Sequence, residues 1–213
     1  MNQREAGLTT EYPYFNQLHR LIYIQECNRI LIVGLYNTKR SVCIKEITML
    51  SDIAEEIIEK ALVTYIAKGT CYLTRAQIFK TDNIVKLSAD FSIKESCYLS
   101  PGSGHFNAVE ALMCFNQMIY VALLGGIDKK MFSFYNHITP DDFNNHRRKV
   151  YILEFEKLKF KKQIDNTSFH GKLEIKPIHK VGDKIYVDCC LGFGNDIECK
   201  NFIGNIKVFI PVL

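Results

Sequence analysis

The spacing of apolar positions changes period several times along this chain, and each change predicts an element. Ile53, Ile57, Ile58, Ala61, Leu62 and Tyr65 recur at helical intervals up to Gly69. Asp52 and Glu55 stand at the spacing of a capping box, so an amphipathic helix with a glycine stop is expected there. From Cys71 to Phe79 and from Ile84 to Ile93 the period shortens. Val85, Leu87, Ala89, Phe91 and Ile93 alternate with Lys86, Ser88, Asp90, Ser92 and Lys94. Thr81, Asp82 and Asn83 supply a turn between the runs, which predicts an antiparallel hairpin with one wet face.

After the SPGSG break at 100–104, an 18-residue run from Asn107 to Leu124 carries Asn107, Glu110, Asn116 and Gln117 as its polar side chains and meets Gly125 and Gly126 at its end. A one-sided helix would show a polar stripe at every turn, so this helix is expected to be covered by protein on most sides. Thr139, Pro140, Asp141 and Asp142 read as the cap and acidic first turn of a short helix. Alternating runs at about 150–160, 168–179, 184–191 and 202–212 predict further strands. Two β-rich runs, LIYIQ and ILIVGLY, precede residue 48. Strands on each side of one buried helix, without βαβ alternation, give an α+β class with an antiparallel sheet curled around the helix. Hotdog, cystatin-like and ferredoxin-like layouts all satisfy these periods.

Composition narrows the function classes. The 213 residues, 47% of them hydrophobic, suffice for one substantial core. A net charge of +4 from 27 basic and 23 acidic residues lacks the concentrated basic stripe of a nucleic-acid binder, so no nucleic acid is expected as partner. The eight cysteines form no CxxC pair, and no histidine sits at zinc-finger spacing. They read as reduced thiols in a cytoplasmic protein with no metal and no cofactor. The start, MNQREAGLTTEYPY, lacks the features of a secretory signal, and the apolar segment from Leu21 to Tyr36 is interrupted by Glu26 and Arg29, so no membrane span is expected.

The segment GHFNAVEALMCFNQMIY at 104–120 resembles the central helix of the FcoT-like thioesterases. The likeness extends back through EEIIEKALVTYIAKGTCYL at 55–73 and FSIKESCYL at 91–99, and forward through ITPDDF at 138–143. The resemblance implies a hotdog domain over residues 49–213, with residues 1–48 an N-terminal extension outside the family pattern. It implies a homo-oligomer acting on a fatty acyl thioester of coenzyme A or acyl carrier protein, as an acyl thioesterase. Some members of the family instead add glycine to the β-carbon of a 2-enoyl-acyl-carrier-protein thioester, in isonitrile lipopeptide biosynthesis. The family's two functional tyrosines and two asparagines match Tyr65, Tyr98, Asn107 and Asn116 here.

The residues themselves suit that chemistry. An attacked thioester carbonyl develops negative charge on oxygen, and Asn amides, Tyr hydroxyls and the free N–H groups of a helix start donate to it. Asn107 equally reads as an N-cap paired with Glu110. Asn116, in the middle of an apolar helix, must find partners or cost about 1–3 kcal/mol. At about 100° per residue, Asn107 and Asn116 fall on opposite sides of one continuous helix. Glu110 and Gln117 share a face, and Glu110 is the candidate base for water or for a glycine amine, with a capping carboxylate as the alternative. His105 resembles the catalytic histidine of hotdog dehydratases, but Asn107 stands where their proline is expected; otherwise it orders the loop. Tyr65 on a helix and Tyr98 on a strand are also ordinary core aromatics. Lys157, Lys159 and Lys161 form either a wet sheet face or a contact for coenzyme A phosphates or an acidic carrier. A non-catalytic acyl-binding module is the competing class.

Overall fold

The computed structural model describes the backbone of residues 18–26, 29–38 and 41–47, and all atoms of residues 51–100, 102–176, 179–182 and 184–213. The chain divides into two compact units, Met1–Met49 and Leu50–Leu213. In the first unit, β1 (Leu18–Glu26), β2 (Arg29–Thr38) and β3 (Ser41–Ile47) form an antiparallel meander in that order. The third strand is additional to the two that the β-rich runs predict. Its residues, SVCIKEI, lack the dense β-branched pattern of the second run.

In the second unit β4 (Ser51–Asp52), α1 (Glu55–Ile66), β5 (Leu73–Thr81) and β6 (Ile84–Phe91) precede the long helix α2 (Ala108–Asp128). Then follow α3 (Pro140–His146), β7 (Tyr151–Phe160), β8 (Phe169–Ile175), β9 (His179–Val181), β10 (Lys184–Gly194) and β11 (Phe202–Pro211). The sheet runs β4-β5-β6-β8-β10-β11-β7 with antiparallel neighbours throughout, and β9 pairs with β10 outside this path. Alternate residues of β6, β8, β10 and β11 point inward, among them Leu87, Leu173, Val187 and Ile206, into one core in which α2 is buried from Glu110 to Ile127 against α1, β5, β6 and β8. This is the hotdog arrangement: an antiparallel sheet around one long central helix. By length and apolarity alone α2 could cross a membrane, but most of it is buried among these strands.

Local chemistry explains the elements. Asp82 and Asn83 both adopt positive φ, 49° and 65°, which matches the two-residue turn that right-twisted strands favour. Thr139 caps α3, accepting from the Asp142 N–H while Asp142 accepts from the Thr139 N–H.

Four sequence expectations are corrected. Ala54, not Asp52, is the N-cap of α1, because Asp52 accepts instead from Arg75 at 3.0 Å and Gln77 at 2.9 Å on β5. Gly125 and Gly126 lie inside α2 rather than ending it. They permit close packing: a Cβ on Gly126 would sit 2.3 Å from a Phe132 ring carbon. The run at 168–179 is two strands, β8 and β9. Tyr98 lies in a bend seven residues beyond β6, not on a strand.

Candidate functional site

Phe106 is the anchor from which the site is built. Its buried ring lies 4.7 Å from that of Phe169, 5.0 Å from Phe193 and 6.4 Å from Phe202, centroid to centroid. Its N–H donates to the Ile164 carbonyl at 3.1 Å. This aromatic cluster pins the loop ahead of α2 to the end of the sheet and fixes the next residue, Asn107, at the helix start.

Asn107 and Glu110 form a capping box. Asn107 Oδ1 accepts from the N–H groups of Val109 at 3.0 Å and Glu110 at 3.2 Å, and Glu110 Oε2 accepts from the Asn107 N–H at 3.2 Å. The box leaves two buried atoms without partners, the donor Asn107 Nδ2 and the acceptor Glu110 Oε1. Glu110 itself is 0% exposed. Native proteins satisfy most buried polar groups with protein or ordered water, so these two atoms keep hydrogen-bonding capacity for a water or a ligand. A cleft of about 740 Å³ opens at Asn107, lined by residues 105–108 and 160–163, with Glu110 outside its wall. Its walls combine Phe106 and Phe160 with Lys161 and Lys162. Among the described residues the N–H of Ala108, a first-turn residue that lines this cleft, has no acceptor.

His105 sits exposed on the same cleft. Its Nδ1 lies 3.0 Å from the Ser103 carbonyl, which only accepts, so the proton is on Nδ1 and Nε2 is the free acceptor of the neutral ring. Ser103 Oγ donates back to the His105 carbonyl at 2.8 Å, so the residue also orders its own loop.

Sequence reasoning missed Tyr72. This buried phenol accepts from the Cys97 N–H at 2.8 Å and is also hydrogen-bonded to the Cys97 thiol. Burial first, then the hydrogen bond with the Cys97 thiol, push its pKa up, and the Glu110 charge adds a smaller effect. The same burial and the same carboxylate raise the Cys114 thiol. Tyr98 follows Cys97 directly, but its ring is 45% exposed, so it flanks the cluster from solvent. The only sequence signal for Tyr72 was its place at the start of an inward-alternating strand.

Gln117 is spent structurally. Oε1 accepts from the N–H groups of Tyr72 at 2.9 Å and Leu73 at 3.0 Å, and Nε2 donates to Thr70 at 2.9 Å. The polar seam from Glu110 to Gln117 therefore ties α2 to β5 at one end and keeps free capacity at the other.

Tyr65 and Asn116 have no described contact with these residues or with each other. Asn116 and Tyr120 lie one turn apart on the half-buried stripe of α2, and the Tyr120 ring stands 6.5 Å from that of Tyr65 on α1. Burial, reinforced by Tyr120, pushes the Tyr65 hydroxyl up to about 12. Asn107, as an extended cap residue, lies outside the helical turns, so the two asparagines serve different places.

The family of FcoT-like thioesterase domains matches residues 60–208, from α1 to β11. The chain belongs to that family. Membership makes it an enzyme that handles acyl thioesters. Among curated relatives, this FcoT-like chain is 29% identical over 147 residues to a Mycobacterium tuberculosis protein named (2E)-enoyl-ACP glycyltransferase, covering 68% of this chain and 80% of that one. A Streptomyces coeruleorubidus protein of the same name is 27% identical over 125 residues, covering 58% and 74%. Among solved structures, a hypothetical thioesterase with coenzyme A from Streptococcus pneumoniae covers 71% of this chain and 97% of its own, at 12% identity and TM-score 0.39. A thioesterase from Pseudomonas aeruginosa covers 74% and 94%, at 10% identity and TM-score 0.39.

Proposed function

We propose that this FcoT-like enzyme hydrolyses a fatty acyl thioester of coenzyme A or acyl carrier protein in the cleft at the start of α2. The observation that carries the proposal is the unpartnered pair there, the Asn107 amide donor and the buried Glu110 oxygen. The carbonyl oxygen of the thioester takes hydrogen bonds from Asn107 Nδ2 and the Ala108 N–H, where the helix start also favours negative charge. Glu110 reaches the nucleophile directly or through one water and takes its proton as oxygen attacks the carbonyl carbon. The C–S bond breaks, and the proton passes to the departing thiolate. Phe106 and Phe160 suit the apolar chain, and Lys161 and Lys162 suit a phosphate of coenzyme A or an acidic carrier.

A second reading, addition of glycine to the β-carbon of a 2-enoyl-acyl-carrier-protein thioester, is supported by the names of the curated relatives. There Glu110 takes the proton of the attacking amine, the α-carbon is protonated, and the C–S bond survives. One assay separates the readings. Purified protein is given long-chain acyl-coenzyme A, and separately a 2-enoyl carrier-protein thioester with glycine. Thiol release supports hydrolysis and a glycine adduct supports addition. Tight acyl binding with neither product would leave a binding module and end both proposals.

The chain is further proposed to self-associate through β7, one of the two edge strands of the sheet. Tyr151, Leu153, Phe155, Leu158 and Phe160 on it are all exposed, and edges of this kind seek a strand partner. The free thiols of Cys71, Cys97, Cys114, Cys189, Cys190 and Cys199 support a reducing, cytoplasmic compartment.

A further inference from the structure

We infer that a pocket at the other end of the sheet from the α2 cleft binds an amphiphilic anion, a carboxylate or phosphate head on a short alkyl chain. The pocket has a volume of about 390 Å³, toward the small end of the range for ligand sites. Its floor is Val85 at the start of β6, Ile175 at the end of β8, Ile185 at the start of β10, and Phe132 from the segment after α2, all of them buried. Phe169, beside Phe106, begins β8 and Ile175 ends it, so about 20 Å of strand separates this pocket from the α2 cleft. The segment after α2 forms a fixed wall. The Phe132 ring packs against Gly126, where a Cβ would not fit, and the Met131 N–H donates to the Gly126 carbonyl at 2.7 Å. From the other side Lys80 Nζ donates to the Met131 carbonyl at 2.8 Å. The partly buried Met131 and Phe134 extend the apolar surface from this wall toward solvent.

Charge selects the head of the ligand. Lys80, Lys176 and Lys180 line the pocket, and no acidic residue does. None of the three has an ion-pair partner among the described residues, and Glu174, the acid beside Ile175 on β8, is taken by Lys86 at 2.7 Å. Lys80 has given one N–H to Met131 and keeps two. Asn83 and Ser133 add neutral donors from the exposed rim. Three ammonium groups without a counter-charge attract an anion, and the buried floor beneath them favours one that carries an alkyl group behind its charge. A bare phosphate would leave the floor unused, and a neutral alcohol would leave the lysines unused.

Two sources share this chemistry, a free fatty acid and a lipid phosphate. Calorimetric titration of the full chain with decanoate, and separately with decyl phosphate, tests the site without turnover. Decanol serves as the probe that lacks the charge, and inorganic phosphate as the probe that lacks the alkyl chain. Wild-type protein is expected to bind at least one of the two anions more tightly than either control. A double variant, Lys176→Gln with Lys180→Gln, changes two exposed side chains and should weaken that binding about tenfold, the loss of two exposed ion pairs. Lys161→Gln with Lys162→Gln, at the α2 cleft, should leave it unchanged, which separates this pocket from an acyl chain held in that cleft. Binding of decanoate alone identifies a fatty-acid site, binding of decyl phosphate alone a lipid-phosphate site, and binding of both a site that reads charge and chain together. If neither anion binds, if a control binds as tightly, or if the Lys176 and Lys180 variant keeps wild-type affinity, the inference is overturned.

Discussion

Replacing Glu110 with glutamine separates its chemistry from its structural role. Glu110 is buried, one oxygen accepts the Asn107 N–H at 3.2 Å, and the other has no partner. The glutamine carbonyl can keep the cap bond. Exchanging a charged for a neutral acceptor there costs about 1 kcal/mol. Removing an uncompensated buried charge returns at least that much. The two terms nearly cancel, so stability should stay within about 1 kcal/mol of wild type. Activity should not, because a lost general base costs about 100- to 10,000-fold in rate. Glu110→Ala supplies the contrast, since it also strips the Asn107 N–H of its acceptor at a cost of about 1–3 kcal/mol. Urea unfolding midpoints and initial rates of thiol release or adduct formation would be measured on all three proteins. A Gln variant that folds normally and turns over at the wild-type rate refutes the assignment of Glu110 as base.

Other consequences are as direct. Gln117→Leu should destabilise by about 3–5 kcal/mol in urea melts, because it orphans the Tyr72 and Leu73 N–H groups and the Thr70 carbonyl. Gly126→Ala should lower stability by about 1–2 kcal/mol despite the better helix propensity of alanine, because overpacking against Phe132 outweighs a gain of about 1 kcal/mol. A thermal midpoint above wild type would show that the ring can move aside. Tyr65, raised from 10.0 to about 12, keeps its proton in the folded state after the unfolded chain has released it. Its contribution is therefore complete below pH 10 and lost as pH climbs from there to about 12, and Tyr65→Phe should flatten that part of the stability curve. Leu158→Lys on the exposed β7 edge should shift sedimentation toward monomer if self-association runs through that strand.

Short-range chemistry was readable from the chain because its causes are short-range. The Asp82–Asn83 turn, the Thr139 cap and the alternation of β6 and β10 each depend on residues a few positions apart. Misreadings arose where distant partners intervened. Asp52 and Glu55 have capping-box spacing, yet Arg75 and Gln77 from the neighbouring strand claim the carboxylate. Gly125 and Gly126 look like a helix stop, and only the positions of Ile53 and Phe132 reveal them as contact points.

The polar residues of α2 make the same point for function. Glu110, Asn116 and Gln117 look alike in sequence, each a polar interruption of a greasy helix with a desolvation cost to offset. Folding gives them different fates. Gln117 exhausts its amide on three backbone groups, so its burial is fully explained by the tie between α2 and β5. Glu110 uses one oxygen and keeps the other, and Asn116 is left with no protein partner among the described residues. Residue type alone could not rank these three as functional candidates. The ranking follows from the hydrogen-bonding capacity that remains after the fold has taken its share, because only that remainder is available to a substrate.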